Sequence, residues 1–167
     1  MNQLETFATI DTFIFDVDGV LTNSQVLVTE DGNLLRHMSI RDGYAIKLAV
    51  NKGYNVCIIT GGRSEGVKKR LEGLGVKDIY IGISDKMSVF EEYIETNELD
   101  TDHVLYMGDD MPDYLVMTKV GLPTCPANAA PELFSIAKYV SPKDGGEGCA
   151  RDVIEKVLKL NGDWVIE

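Results

Sequence analysis

At 167 residues and 18.4 kDa the chain has the size of one compact domain and can bury a core without disulfide staples. Hydrophobic residues make up 44% and charged residues 26%, globular proportions that exclude disordered and fibrous classes. With 16 Lys+Arg against 27 Asp+Glu the formal charge is −11, which excludes affinity for nucleic acid or an anionic membrane through phosphate contacts.

Met1 to Ile10 carries Glu5 and lacks the apolar segment of a signal peptide, and no apolar run approaches the ~18 residues of a membrane span. A soluble, cytoplasmic protein is expected. Thr12–Phe15 is a short apolar run ending at Asp16, as in a strand buried on both faces. Gln25–Thr29 and Leu34–Ser39 flank an Asp31-Gly32 turn and predict a β-hairpin. From Asp42 the pattern turns helical, with Ala45, Leu48 and Ala49 on one face, and stops at Gly53. Asn55–Ile59 is the next strand, followed by a helix from the N-cap Ser64 to Leu74.

A third strand is expected near Asp78–Ile81, then a helix with Val89, Phe90, Tyr93 and Ile94 as its apolar stripe. His103–Met107 is the fourth buried strand. The helix after it has Pro112 in its first turn and Gly121 past its end. Leu122–Cys125 and Lys138–Val140 complete the sheet, and Arg151–Leu160 is the last helix. Cys57, Cys125 and Cys149 lie far apart without zinc-ligand spacing and are expected reduced and buried. The alternation predicts a single α/β domain over residues 1–167, a Rossmann-like, doubly wound, mainly parallel sheet.

In such sheets ligands sit beyond the carboxyl ends of the strands. The residues placed there are Asp16 and Asp18, then Thr60, then the loop before Lys86, then Asp109, Asp110 and Asp113. Asp16 and Asp18 project to one side while Val17 points into the core, and two such carboxylates stay ionised only beside a cation. Asp109, after the fourth strand, can reach Asp16, giving hard oxygen ligands suited to Mg²⁺. Asp110 and Asp113 brace these ligands, or act as acids at a helix start. Thr60 with Gly61-Gly62 forms a hydroxyl and backbone N–H cradle for phosphate, and Lys86 adds positive charge. Setting the five acids aside leaves 22 acids against 16 bases, so much of the excess charge belongs to a cation site.

Asp16-Val17-Asp18-Gly19, the strand-end Thr60, the isolated Lys86 and Gly108-Asp109-Asp110 with Asp113 resemble, in this order, the four motifs of the haloacid dehalogenase-like phosphatases. Further segments, among them Arg41-Asp42-Gly43-Tyr44, Val116-Met117 and Gly145-Gly146-Glu147-Gly148 with Arg151, are similar to a capless subgroup. Within that subgroup they resemble the 3-deoxy-D-manno-octulosonate 8-phosphate (Kdo 8-phosphate) phosphatases. The resemblance implies that Asp16 is the nucleophile of an aspartyl-phosphate mechanism and Asp18 the general acid and base. It implies Mg²⁺ on Asp16, Asp109 and the backbone carbonyl of Asp18, with phosphoryl oxygens on Thr60, Gly61 and Lys86.

It also implies a homotetramer in which the 25–39 hairpins associate and a neighbour helps cover the open site. The likeness departs at one point. The subgroup reads Ile-Thr-Gly-Arg, whereas this chain reads Ile59-Thr60-Gly61-Gly62-Arg63, so the arginine expected on a substrate carboxylate has moved by one. A one-residue shift at a helix start rotates a side chain by about 100°. A phosphatase for a nine-carbon 2-keto-3-deoxy sugar acid 9-phosphate is therefore the alternative within the class. In another class stands a receiver-like phosphoacceptor module, which also uses an acid cluster, Mg²⁺, a Thr and a Lys. His37 and His103 lack ligand spacing, and Trp164 is expected to dock the C-terminal segment.

Overall fold

The computed structural model describes residues 2–165. Six parallel strands form one sheet in the order β5-β4-β1-β6-β7-β8, with a separate two-stranded hairpin. The strands are β1 (Thr12–Phe15), β4 (Asn55–Ile59), β5 (Asp78–Tyr80), β6 (Val104–Met107), β7 (Leu122–Cys125) and β8 (Tyr139–Val140). The hairpin strands are β2 (Leu27–Val28) and β3 (Leu34–Leu35). The helices are α1 (Gln3–Ala8), α2 (Ile40–Asn51), α3 (Glu65–Gly73), α4 (Lys86–Thr96), α5 (Tyr114–Met117) and α6 (Cys149–Leu160).

Every residue of β1 and β6 is buried, and their alternation splits the core into two layers. Phe13, Phe15, Val56, Ile58, Leu105 and Met107 pack with α2, α3 and α6 on one face. Ile14, Cys57, Ile59, Val104 and Tyr106 pack with α4 and α5 on the other. A strand covered on both faces must be apolar throughout, which is why these runs carry no polar alternation. The three cysteines are free and buried, as expected, and burial pushes all three thiols up.

The structure revises several expected boundaries. The hairpin exists, but its strands hold only two residues each, because the ladder covers Leu27 with Leu35 and Val28 with Leu34 and then parts. His103 belongs to a 3-10 turn, Thr101–His103, capped by Asp100, so β6 starts at Val104. Pro112 likewise sits in a 3-10 turn, Met111–Asp113, which runs into the four-residue α5. Trp164 packs on the first core layer and meets Tyr44 edge-on at 6.0 Å.

The chain runs outward from β1 through β4 to β5, then returns to β6 on the other side of β1 and runs outward again. The order therefore reverses at β1 and β6, and the cleft of such a sheet opens there. Phe15 is level with Ile58 and with Met107, so Asp16, Thr60 and Gly108 emerge together at the carboxyl edge.

Candidate active site

Asp16 is the first residue past β1, and its backbone N–H still donates to the Met107 carbonyl at 3.1 Å. Only 7% exposed, it accepts the Val17 N–H on Oδ1 at 2.6 Å and faces Lys86 Nζ with Oδ2 at 2.8 Å. Lys86 is fixed in place because it opens α4 directly after Asp85, whose side chain accepts from the N–H groups of Met87 and Ser88. Its Nζ also reaches Asp113 Oδ1 at 2.7 Å.

Asp113 is fully buried and fully engaged. Oδ1 accepts from Lys86 and from the Tyr106 hydroxyl at 2.6 Å, and Oδ2 accepts from the N–H groups of Asp109 and Asp110. A carboxylate so satisfied holds the turn after β6 in one conformation and so fixes where Asp109 points. Asp110 is exposed and accepts the Met111 N–H at 2.8 Å, the local capping role open to it from the sequence. Ser24 donates to Asp109 Oδ2 at 3.4 Å. A Cβ on Gly19 would stand 1.8 Å from that same Oδ2, and φ is +86°, so the first loop passes Asp109 this closely only with glycine.

Burial pushes the Asp16 carboxyl up, Asp113 adds to the rise, and Lys86 opposes it. Asp109 is pushed up to about 7 by burial and then by Asp16, Asp113 and Asp110. Burial alone would lower Lys86, but Asp16 and Asp113 hold it above its ordinary value. Carboxylates in this state attract a cation. Oxygens of Asp16, Asp109 and Asp113 lie within 4.8 Å of one another, a hard-oxygen set that fits Mg²⁺. Since Asp113 is already saturated, Asp16 and Asp109 are the side chains free to serve it.

The cleft above them has a volume of about 330 Å³, and Asp18, Thr60, Gly61 and Lys86 line it with the acids. Thr60 is buried at its floor, with the Gly62 N–H donating to its Oγ1 at 3.2 Å. Arg63 is not part of the lining. It is exposed and lies over Gly82, whose Cβ would meet its Cγ and Nε at 3.2 Å. A larger groove of about 820 Å³ runs along α6 past Arg41, Lys143 and Glu155, but it holds none of the clustered acids.

Residues 78–152 match the family model described as haloacid dehalogenase-like hydrolase. A 3-deoxy-D-manno-octulosonate 8-phosphate phosphatase, KdsC, from Yersinia pestis is 36% identical over 163 residues, 95% of this chain and 87% of the relative. The Escherichia coli K12 protein of the same name is 37% identical over 92% of this chain and 81% of its own. The crystal structure of the Yersinia pestis phosphatase superposes with a TM-score of 0.93 at 34% identity, covering 96% of this chain and 86% of that one. This chain belongs to the KdsC family of haloacid dehalogenase-like hydrolases. A further family structure, from Moraxella catarrhalis, is described as a complex with magnesium ion, phosphate ion and KDO. It superposes with a TM-score of 0.90 at 28% identity, over 94% of this chain and 90% of that one. Membership makes the protein a phosphoric monoester hydrolase and sets aside the receiver module.

Three contacts in this KdsC-family site were not legible beforehand. Tyr106 reads as one more apolar residue of a buried strand, yet its hydroxyl holds Asp113. Ser24, with φ of +66°, turns the loop toward Asp109. Arg36, just past β3, pairs with Asp18 at 2.6 Å, a partnership across 18 residues that no periodicity announces. The Gly145–Gly148 loop packs against the first motif. Gly146 N–H and Cys149 Sγ both donate to the Val20 carbonyl. Asp42 ties the neighbouring helix start into this support, accepting the Arg151 N–H at 2.8 Å.

Proposed function

We propose that this protein, working as one phosphatase domain over its whole length, hydrolyses Kdo 8-phosphate to Kdo and phosphate. The observation that carries the chemistry is the convergence of Asp16, Asp109 and the Lys86–Asp113 pair at the strand ends of a KdsC-family fold. The named substrates of the relatives, and the KDO-bound Moraxella catarrhalis structure, support the sugar acid.

Asp16 attacks phosphorus, forming a bond from its carboxylate oxygen while the ester oxygen leaves. Asp18 gives that oxygen its proton. It then takes a proton from the water that attacks the aspartyl-phosphate, which releases phosphate and restores Asp16. Thr60, Gly61 and Lys86 hold the phosphoryl oxygens in line with Asp16. Asp16, Asp109 and the Asp18 carbonyl would hold Mg²⁺, which when bound offsets the repulsion between an anionic nucleophile and an anionic ester. Phosphate release from Kdo 8-phosphate that needs Mg²⁺ and stops in EDTA is the expected assay result; release indifferent to EDTA contradicts the reading. Asp18→Asn is expected to lower kcat by about 10²–10⁴, the span of general acid–base residues. An unchanged kcat removes Asp18 from the mechanism.

Gly62 in the place of the expected arginine favours a second reading in the same class, a nine-carbon 2-keto-3-deoxy acid 9-phosphate. Assembly is the other proposed property. Val26, Leu27, Val28, Leu34 and Leu35 are all exposed on the hairpin, Leu27 and Val28 at 62% each. A two-stranded ribbon with an apolar face needs a partner. A homotetramer built through these hairpins supplies one and brings a neighbour to the open cleft. Light scattering is expected to give four chain masses, and Leu27→Glu with Val28→Glu to dissociate them. A fully active monomer contradicts the assembly.

A further inference from the structure

Arg36 leaves β3 and turns back over the edge of the sheet. Its Nε donates to Asp18 Oδ1 at 2.6 Å, its Nη2 to Oδ2 at 3.2 Å, and its Nη1 to the Leu34 carbonyl at 3.3 Å. Its side chain is only 8% exposed, against 42% for Asp18. The two-pronged bond between guanidinium and carboxylate covers the arginine, while the carboxylate stays partly open to solvent. Gly62 makes the room for it. A Cβ there would stand 3.3 Å from Arg36 Nη2 and 3.1 Å from Asp18 Oδ2, so a larger residue would press on both. The glycine that displaces Arg63 by one position is thus the one that admits Arg36.

Charge then narrows the choice of ligand. Among the described residues lining the cleft or the narrow gap behind Asp18, the cations are Lys86 and Arg36. Lys86 is held between Asp16 and Asp113 at the position of the phosphoryl group. A further cation, Arg36, lines the adjoining gap, which shares Asp18, Thr60 and Gly62 with the cleft, and it rests on Asp18. The fork also engages both oxygens of Asp18, the group that must face the leaving alkoxide.

We propose that Arg36 is a specificity-determining residue. It takes the carboxylate of an acidic phosphate ester, and by transferring its fork from Asp18 to that carboxylate it frees Asp18 for proton transfer. An ester without a carboxylate leaves Asp18 clamped and turns over poorly. The inference rests on the phosphatase reading above and deepens it.

The test compares kcat and KM for Kdo 8-phosphate and for ribose 5-phosphate, which has an alkoxide leaving group but no carboxylate, in wild type, Arg36→Gln and Arg36→Lys, all with Mg²⁺. Wild type is expected to favour the acidic ester. Arg36→Gln is expected to reduce the ratio of the two kcat/KM values by about 10–100-fold, chiefly through KM for the acidic ester. Arg36→Lys keeps the charge without the fork and recovers part of the ratio, which also provides a readout if the glutamine variant folds poorly. Parallel losses on both esters in the variants would mean that Arg36 only supports the fold or Asp18, and would overturn the assignment. So would a wild type that treats both esters alike, although that result leaves the phosphatase chemistry intact. A wild type inert to both esters overturns the chemistry and the assignment together.

Discussion

Asp16→Asn is expected to lower kcat by roughly 10⁴–10⁶-fold, as when a single member of a covalent catalytic set is removed. The amide has nearly the shape of the carboxylate but cannot form the acyl-phosphate. The chain should remain folded. Asp16 is 7% exposed, and burial and the charge of Asp113 both act against its ionised form. Neutralising it relieves that repulsion, while Lys86 keeps its partner Asp113 at 2.7 Å. The expected pattern is therefore abolished phosphate release with an unchanged or raised Tm in metal-free buffer. Substantial residual turnover would show that another group attacks phosphorus. A collapsed Tm would show that Asp16 is needed for the fold.

Lys86→Met should have the opposite character, a large loss of stability as well as of activity. Removing one partner of a buried ion pair costs about 3–5 kcal/mol, because the other charge stays buried without compensation. Here two carboxylates lose their cation, and one of them, Asp113, is fully buried. The Tyr106 hydroxyl and the N–H groups of Asp109 and Asp110 remain on Asp113, which moderates the cost. Urea unfolding of metal-free protein is expected to show a lower midpoint with an unchanged slope. A loss below about 1 kcal/mol would place Lys86 among ordinary surface pairs.

The parts of the site carried by strand ends were the most legible. Thr12–Phe15, Asn55–Ile59 and the apolar run ending at Met107 announce buried strands; Asp16 and Thr60 follow theirs directly, and Asp109 comes one residue after Gly108. Long-range pairing is what stayed hidden. Arg36 meets Asp18 because the hairpin folds back, and nothing in local spacing encodes that return. The hairpin was legible from Asp31-Gly32, but its two-residue strands were not, since their apolar side chains face solvent in the single chain. α1 carries its own start signal in the sequence. Asn2 and Glu5 form a capping box, each side chain accepting the other's backbone N–H.

The mechanism turns on which ester the cleft prefers, and kcat/KM measures that preference. The decisive measurement is kcat/KM, in Mg²⁺, for Kdo 8-phosphate, a nine-carbon sugar-acid 9-phosphate and ribose 5-phosphate. Kdo 8-phosphate is expected to give the highest value and ribose 5-phosphate the lowest, at least about tenfold apart, as loss of a charge-assisted contact requires. Equal values for Kdo 8-phosphate and ribose 5-phosphate would contradict it.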